Sequence, residues 1–117
     1  MKRTFLALDF ETANHKPQSA CAIGVVRVED DQVVAQESRL IRPPSRFFAF
    51  TDIHGITWDD VKDAPRFADV WHELQPLFDG ATFIAAHNAG FDRGVLRACL
   101  EDAGLPPPKL PFVCTMH

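Results

Sequence analysis

Phe5-Leu6-Ala7-Leu8-Asp9-Phe10-Glu11-Thr12 is a hydrophobic run that ends on two carboxylates one residue apart. Phe5 to Phe10 reads as a strand, and successive strand side chains alternate faces. Asp9 and Glu11 therefore project to one side while Phe10 between them enters the core. Two like charges a few ångströms apart raise each other's pKa until one takes a proton. A hard divalent cation relieves that repulsion, because Mg²⁺ and Mn²⁺ prefer carboxylate, carbonyl and water oxygens. Taken alone, Asp9-x-Glu11 reads first as an acidic strand end or a helix-capping element.

Working outward, Ala22 to Val28 and Val33 to Ile41 read as two further strands around the polar turn Glu29-Asp30-Asp31-Gln32. An antiparallel meander is the economical arrangement. Arg42-Pro43-Pro44-Ser45 ends it, since prolines remove ladder donors. Arg46 to Lys62 has no clean period and carries Phe47, Phe48, Phe50, His54 and Trp58, which marks a packed loop. Val70, Trp71, Leu74, Leu77 and Phe78 recur at helical spacing behind Asp63 and Pro65, with Gly80 past the end and Pro76 loosening the last turn. Thr82 to Ala86 is a short buried strand. In the next helix, Phe91, Val95, Cys99 and Ala103 share one face, which assigns Phe91 to the core. Gly104 and Pro106-Pro107-Pro108 close that helix. The fold class is α/β: three antiparallel strands, then helix, strand, helix.

His87-Asn88-Ala89-Gly90-Phe91-Asp92 puts a third carboxylate at a helix start, where the helix N-terminus favours negative charge. With its strand beside and parallel to the first, Asp9, Glu11 and Asp92 would meet at the carboxyl edge of the sheet, the usual ligand site of α/β proteins. The two motifs, with Ile53-His54-Gly55-Ile56-Thr57 between them, resemble the DnaQ-like (DEDDh-type) branch of the DEDD 3′–5′ exonucleases. That branch includes the epsilon proofreading subunit of bacterial DNA polymerase III. The resemblance spans nearly the whole chain and implies an RNase H-like mixed sheet. It also implies hydrolysis of phosphodiester bonds at the 3′ end of single-stranded DNA or RNA, with release of nucleoside monophosphates and a DNA polymerase subunit as a partner. Asp9, Glu11 and Asp92 would carry over as catalytic, metal-binding carboxylates. Two Mg²⁺ or Mn²⁺ ions about 3.5–4 Å apart would activate water and stabilise the leaving oxygen.

The family pattern adds a fourth carboxylate and a His general base five residues before it, and no matching pair occurs here. His117 follows Cys114-Thr115-Met116, which resembles a segment well upstream of that last motif, so it is not assigned as the base. Residues 1–117 are expected to form a single exonuclease domain lacking its C-terminal part, truncated before the last catalytic motif. Activity of the 117-residue chain by itself is left open. The rival reading is a non-catalytic nucleic-acid- or polymerase-binding module.

Thr12 is a candidate to hydrogen-bond the terminal nucleotide, or else a turn residue ending the strand. His54 is assigned to the nucleotide pocket, its alternative being a loop histidine bonded to backbone. Asn88 would orient the strand-to-helix junction or the substrate, and His87 would fix that junction through hydrogen bonds. Lys16, Arg46, Arg93 and Arg97 are candidate phosphate contacts, although the last two share a helix face with Glu101 and read as a solvated stripe.

At 117 residues and 46% hydrophobic, the chain can build one core. Its net charge of -4 argues against a broad basic surface gripping long duplex, though not against a site for one strand end. Asp9 and Glu11 interrupt the apolar run behind Met1-Lys2-Arg3, so neither export nor membrane insertion is expected. Cys21, Cys99 and Cys114 lie in hydrophobic stretches and read as reduced core thiols of a cytoplasmic protein. Cys114 and His117 make only half a zinc site. No residue announces a contact to the 2′-OH that would separate RNA from DNA. Oligomeric state, a homodimer included, is left open.

Overall fold

The computed structural model describes residues 3–115, and His117 therefore lies outside the described residues. Strand β1 (Thr4–Thr12) obeys the expected alternation, sinking Leu6, Leu8 and Phe10 while Phe5, Ala7, Asp9 and Glu11 take the other face. Strands β2 (Ala20–Glu29) and β3 (Gln32–Leu40) continue antiparallel to it. Their hairpin turns on Asp30 and Asp31, both at positive φ (51° and 69°). Two successive left-handed residues match the right-handed twist of the flanking strands, and Asp tolerates that backbone region better than most residues. The Arg3 amide donates to Asp30 Oδ1 at 2.9 Å and fixes the tip.

Between Arg46 and Lys62 the expected loop contains two short helices, α1 (Thr51–His54) and α2 (Trp58–Val61). Neither is long enough to show a hydrophobic period. Gly55 ends α1 at φ +77°, and a capping box between Thr57 and Asp60 starts α2. Helix α3 (Phe67–Leu74) places Phe67, Val70, Trp71 and Leu74 in the core. It then tightens into a 3₁₀ turn over Gln75–Phe78, where Pro76 has no amide to continue an α-helix. Trp71 sits between Phe67 and Phe78, with ring centroids at 6.0 and 5.0 Å.

Strand β4 (Phe83–Ala86) pairs parallel to β1, and β5 (Phe112–Cys114) pairs parallel to β4, giving the order β3-β2-β1-β4-β5. Helix α4 (Ala89–Asp102) starts two residues earlier than its apolar period indicates. Its end is closed by Gly104 at φ +70° and by the Leu105 amide donating to the Leu100 carbonyl at 2.8 Å. Leu6, Leu8, Phe10, Ile23, Val25 and Ile84 from the sheet form one cluster with the buried faces of α3 and α4. Each fully buried aliphatic there contributes about 2 kcal/mol.

Two expectations fail here. Cys114 is exposed, because β5 is a three-residue edge strand with little packed over it. Phe91 is 44% exposed, because it borders an open groove beside Thr12, His15 and Phe50, although Ala89 and Asp92 in the same turn are buried. Cys21 and Cys99 are buried as expected. Among the described residues no helix is long and apolar enough to cross a membrane.

Candidate active site

Pairing between β1 and β4 runs through Ala7 and Ala85, and β4 ends at Ala86. Beyond that point β1 continues with no parallel neighbour to accept the Phe10 amide. Asp92, from the first turn of α4, takes it: the Phe10 amide donates to Asp92 Oδ1 at 3.0 Å. A carboxylate from one motif is thereby fastened to the backbone between the two carboxylates of the other.

Asp92 is 2% exposed, whereas Asp9 is exposed and Glu11 half-buried. Burial pushes the Asp92 carboxyl up to about 6, against the pull of the Phe10 hydrogen bond. The charges of Asp9 and Glu11 raise it further, and His87 opposes them. Desolvation and like charge act together. Among the described residues no three acidic, His or Cys side chains converge on one point. Asp9 and Glu11 stand on the sheet face turned away from the core, while Asp92 enters from the helix and spends one oxygen on the Phe10 amide.

A groove of about 380 Å³, lined by none of the three carboxylates, runs past Thr12, Asn14, His15, Phe50, Phe91 and Gly94. A Cβ built on Gly94 would meet nothing within 4 Å, so this stretch of α4 leaves the groove open. Asn14 builds the far wall: its Nδ2 donates to the Phe47 carbonyl at 2.9 Å, and its Oδ1 accepts the Lys16 amide at 2.9 Å. The Ala13 carbonyl accepts the amides of Ala49 and Phe50, tying the 42–50 segment to the end of β1. His15 meets the Phe50 ring edge-on at 4.7 Å.

Thr12 is 5% exposed and pairs with Ala20 just past an irregularity in the β1–β2 ladder. Its carbonyl lies 2.9 Å from His54 Nε2, while the Ile56 amide donates to His54 Nδ1 at 3.0 Å. An acceptor at Nδ1 leaves the proton of the neutral ring on Nε2, so His54 donates to Thr12. Both ring nitrogens are thus engaged with backbone, and His54 does not line the groove. Its contacts are those of a clamp on Thr12, a correction to its place in the nucleotide pocket.

Asn88 caps α4, its Oδ1 accepting the Phe91 amide at 3.5 Å. The ring of His87 forms no hydrogen bond among the described residues, and its expected role at the junction is corrected accordingly. Only its carbonyl is engaged there, accepting from Cys114 Sγ at 3.4 Å. Asn14 and His15 carried no functional assignment in the sequence, and Phe50 belonged to an aromatic cluster read first as pinning its loop to the core. Their one signal was position, directly after the carboxylate motif or inside an aromatic loop.

The sequence profile of the RNase T family, described as exonuclease, matches residues 6–117. The chain belongs to this exonuclease family. It is 32% identical over 120 residues to the 3′–5′ exonuclease DinG of Bacillus subtilis (strain 168), covering 99% of the chain and 13% of DinG. It is 34% identical over 116 residues to the PolC-type DNA polymerase III of Thermotoga petrophila (strain ATCC BAA-488 / DSM 13995 / JCM 10881 / RKU-1), covering 97% of the chain and 8% of that protein. The exonuclease domain also superimposes on exonuclease X, solved in complex with 5′-overhanging duplex DNA. That match has a TM-score of 0.72 at 32% identity and covers 96% of this chain and 60% of that one. The exonuclease domain thus spans only a small part of its curated relatives. The resemblance to the DnaQ-like, DEDDh-type branch and the RNase H-like mixed sheet both hold.

Proposed function

We propose that this domain is a metal-dependent 3′–5′ exonuclease, hydrolysing phosphodiester bonds at the 3′ end of a DNA or RNA strand and releasing nucleoside monophosphates. The observation that carries this reading is the hydrogen bond from Phe10 to Asp92, which ties the two carboxylate motifs together. The donor set fits hard divalent cations such as Mg²⁺ or Mn²⁺: three carboxylates, one of them costly to ionise until positive charge is near. When bound, such ions would supply activation of water and charge stabilisation at the leaving oxygen.

The chain's own residues do the remaining work. Asp9, Glu11 and Asp92 would hold the ions, and Asn88 fixes the start of α4 from which Asp92 projects. Thr12, clamped by His54, borders the groove that receives the terminal nucleotide. The exposed face of Phe91 and the ring of His15 flank its base, and Lys16 neutralises phosphate. The fourth carboxylate and general base implied by the family are not among residues 3–115. Similarity to a PolC-type polymerase supports work alongside a polymerase.

The separation of the three carboxylates favours one rival, a nucleic-acid- or polymerase-binding module without catalysis. A 5′-labelled single-stranded oligonucleotide incubated with Mn²⁺ separates the two. Stepwise shortening that disappears in Asp9→Ala supports the exonuclease. Strand binding that needs no metal and survives Asp9→Ala, with no shortening, supports the module.

A further inference from the structure

Helix α4 carries two sets of lining residues on opposite sides. Phe91, Gly94 and Val95 line the groove assigned to the terminal nucleotide. Arg93, Leu96, Arg97 and Leu100 line a second cavity, which Leu110 and Phe112 close from beyond the helix. At about 100° per residue the two sets stand on opposite faces of α4. A strand held in the groove therefore runs on the far side of the helix, and nothing in the proposed chemistry uses this cavity.

The cavity has an aliphatic floor and a cationic rim. Leu96 and Leu100 are buried, whereas Arg93 and Arg97 are exposed one turn apart, a rise of about 6 Å. Neither arginine forms an ion pair or a side-chain hydrogen bond among the described residues, although Glu101 follows Arg97 by one turn. Lys109, between the lining residues Pro108 and Leu110, adds another exposed cation. In a chain of net charge -4 this is a local reversal of sign. It attracts an acidic partner, and uncommitted guanidinium forks suit carboxylates. The floor decides against a nucleic acid. At about 90 Å³ the cavity is smaller than the roughly 150 Å³ that benzene fills, so it takes one branched aliphatic side chain and no nucleobase.

We propose that this face of α4 docks an acidic peptide of a partner protein, which seats a leucine or isoleucine in the cavity and sets its flanking carboxylates on Arg93 and Arg97. Burial of the aliphatic side chain supplies affinity, and the arginines select the charge of the peptide. The inference does not rest on the exonuclease reading, since the two faces of α4 are separate.

The test titrates a peptide of one leucine flanked on both sides by aspartates into the isotopically labelled chain, up to about 1 mM, and follows the backbone amide NMR signals. Shifts are expected along residues 93–100 and 110–112 and not around Thr12 and His15. Replacing the leucine of the peptide by alanine weakens binding roughly tenfold. The double variant Arg93→Glu/Arg97→Glu abolishes binding while its spectrum away from α4 stays that of the wild type. An oligothymidylate leaves these residues unmoved. No shifts with the peptide, equal binding of the alanine peptide, or full binding by the charge-reversed variant overturns the docking site. An oligothymidylate that moves the same residues overturns it too, and makes this face a nucleic-acid contact.

Discussion

Asp92 accepts the backbone amide of Phe10 at 3.0 Å, at the point where β1 outruns its parallel neighbour. One hydrogen bond thus closes the sheet and also holds a buried acid against the strand that carries Asp9 and Glu11. Structure and chemistry pull in opposite directions at this residue. Burial disfavours the ionised form that a cation requires.

That conflict predicts a pH signature. The folded-state pKa of Asp92 is raised from 3.8 to about 6, so between those values the folded state keeps a proton that the unfolded state has lost. Stability without divalent metal therefore falls as pH rises from about 4 through about 6. Asp92→Asn keeps the acceptor for Phe10 and removes the charge. It is expected to be more stable than the wild type by about 2–3 kcal/mol near neutral pH, with the gain vanishing below about pH 4. Urea unfolding across this range, in the presence of chelator, measures it.

His54 and Gly55 predict a loss of order at Thr12. Removing the ring in His54→Ala breaks the bonds to Thr12 and Ile56, at about 1 kcal/mol each. Gly55→Ala forces a Cβ into φ +77° and costs about 1 kcal/mol. Thermal melts give the stability change, and mononucleotide affinity reports whether Thr12 has moved. Unchanged affinity in a destabilised His54→Ala would confine the clamp to a structural role.

Phe91→Ala separates groove from core. With 44% of the residue exposed, truncation is expected to cost below about 1 kcal/mol, well short of a buried Phe, while mononucleotide affinity falls about fivefold. A large stability loss with affinity intact would return Phe91 to the core.

The three thiols should differ sharply. Burial chiefly pushes Cys21 up to about 12 and Cys99 up to about 11, and both are enclosed, whereas Cys114 is exposed. Under brief alkylation of the native protein at mildly alkaline pH, Cys114 is expected to react first. Peptide mass spectrometry reads the order, and early labelling of Cys99 would mean that α4 opens readily.

Much of this was legible in the sequence where a pattern recurs over many residues. The alternation of β1, the meander, the stripe on α3 and the stop signals after α4 each repeat a physical constraint several times. What escaped depends on one layer of packing or one turn. Helices α1 and α2, at four residues each, carry no period. Phe91 has the right spacing for the core, yet borders an open groove. Cys114 lies in an apolar stretch that becomes an edge strand. The clamp of His54 on Thr12 joins residues 42 apart in sequence and depends on the left-handed turn at Gly55. The Phe10 to Asp92 bond could be anticipated only as proximity, since a carboxylate's choice of a backbone amide follows from the early end of β4.

The most direct test of the central claim, that Asp92 joins Asp9 and Glu11 in one cation site, is calorimetric titration of Mn²⁺ into the wild type, Asp9→Ala and Asp92→Asn. A thermal melt of each end point gives the accompanying stability. At least one Mn²⁺ per wild-type chain is expected, with a raised melting temperature and an affinity that falls as pH drops through about 6. Both substitutions should abolish the binding. Binding that persists in either variant, or no binding by the wild type, would contradict it.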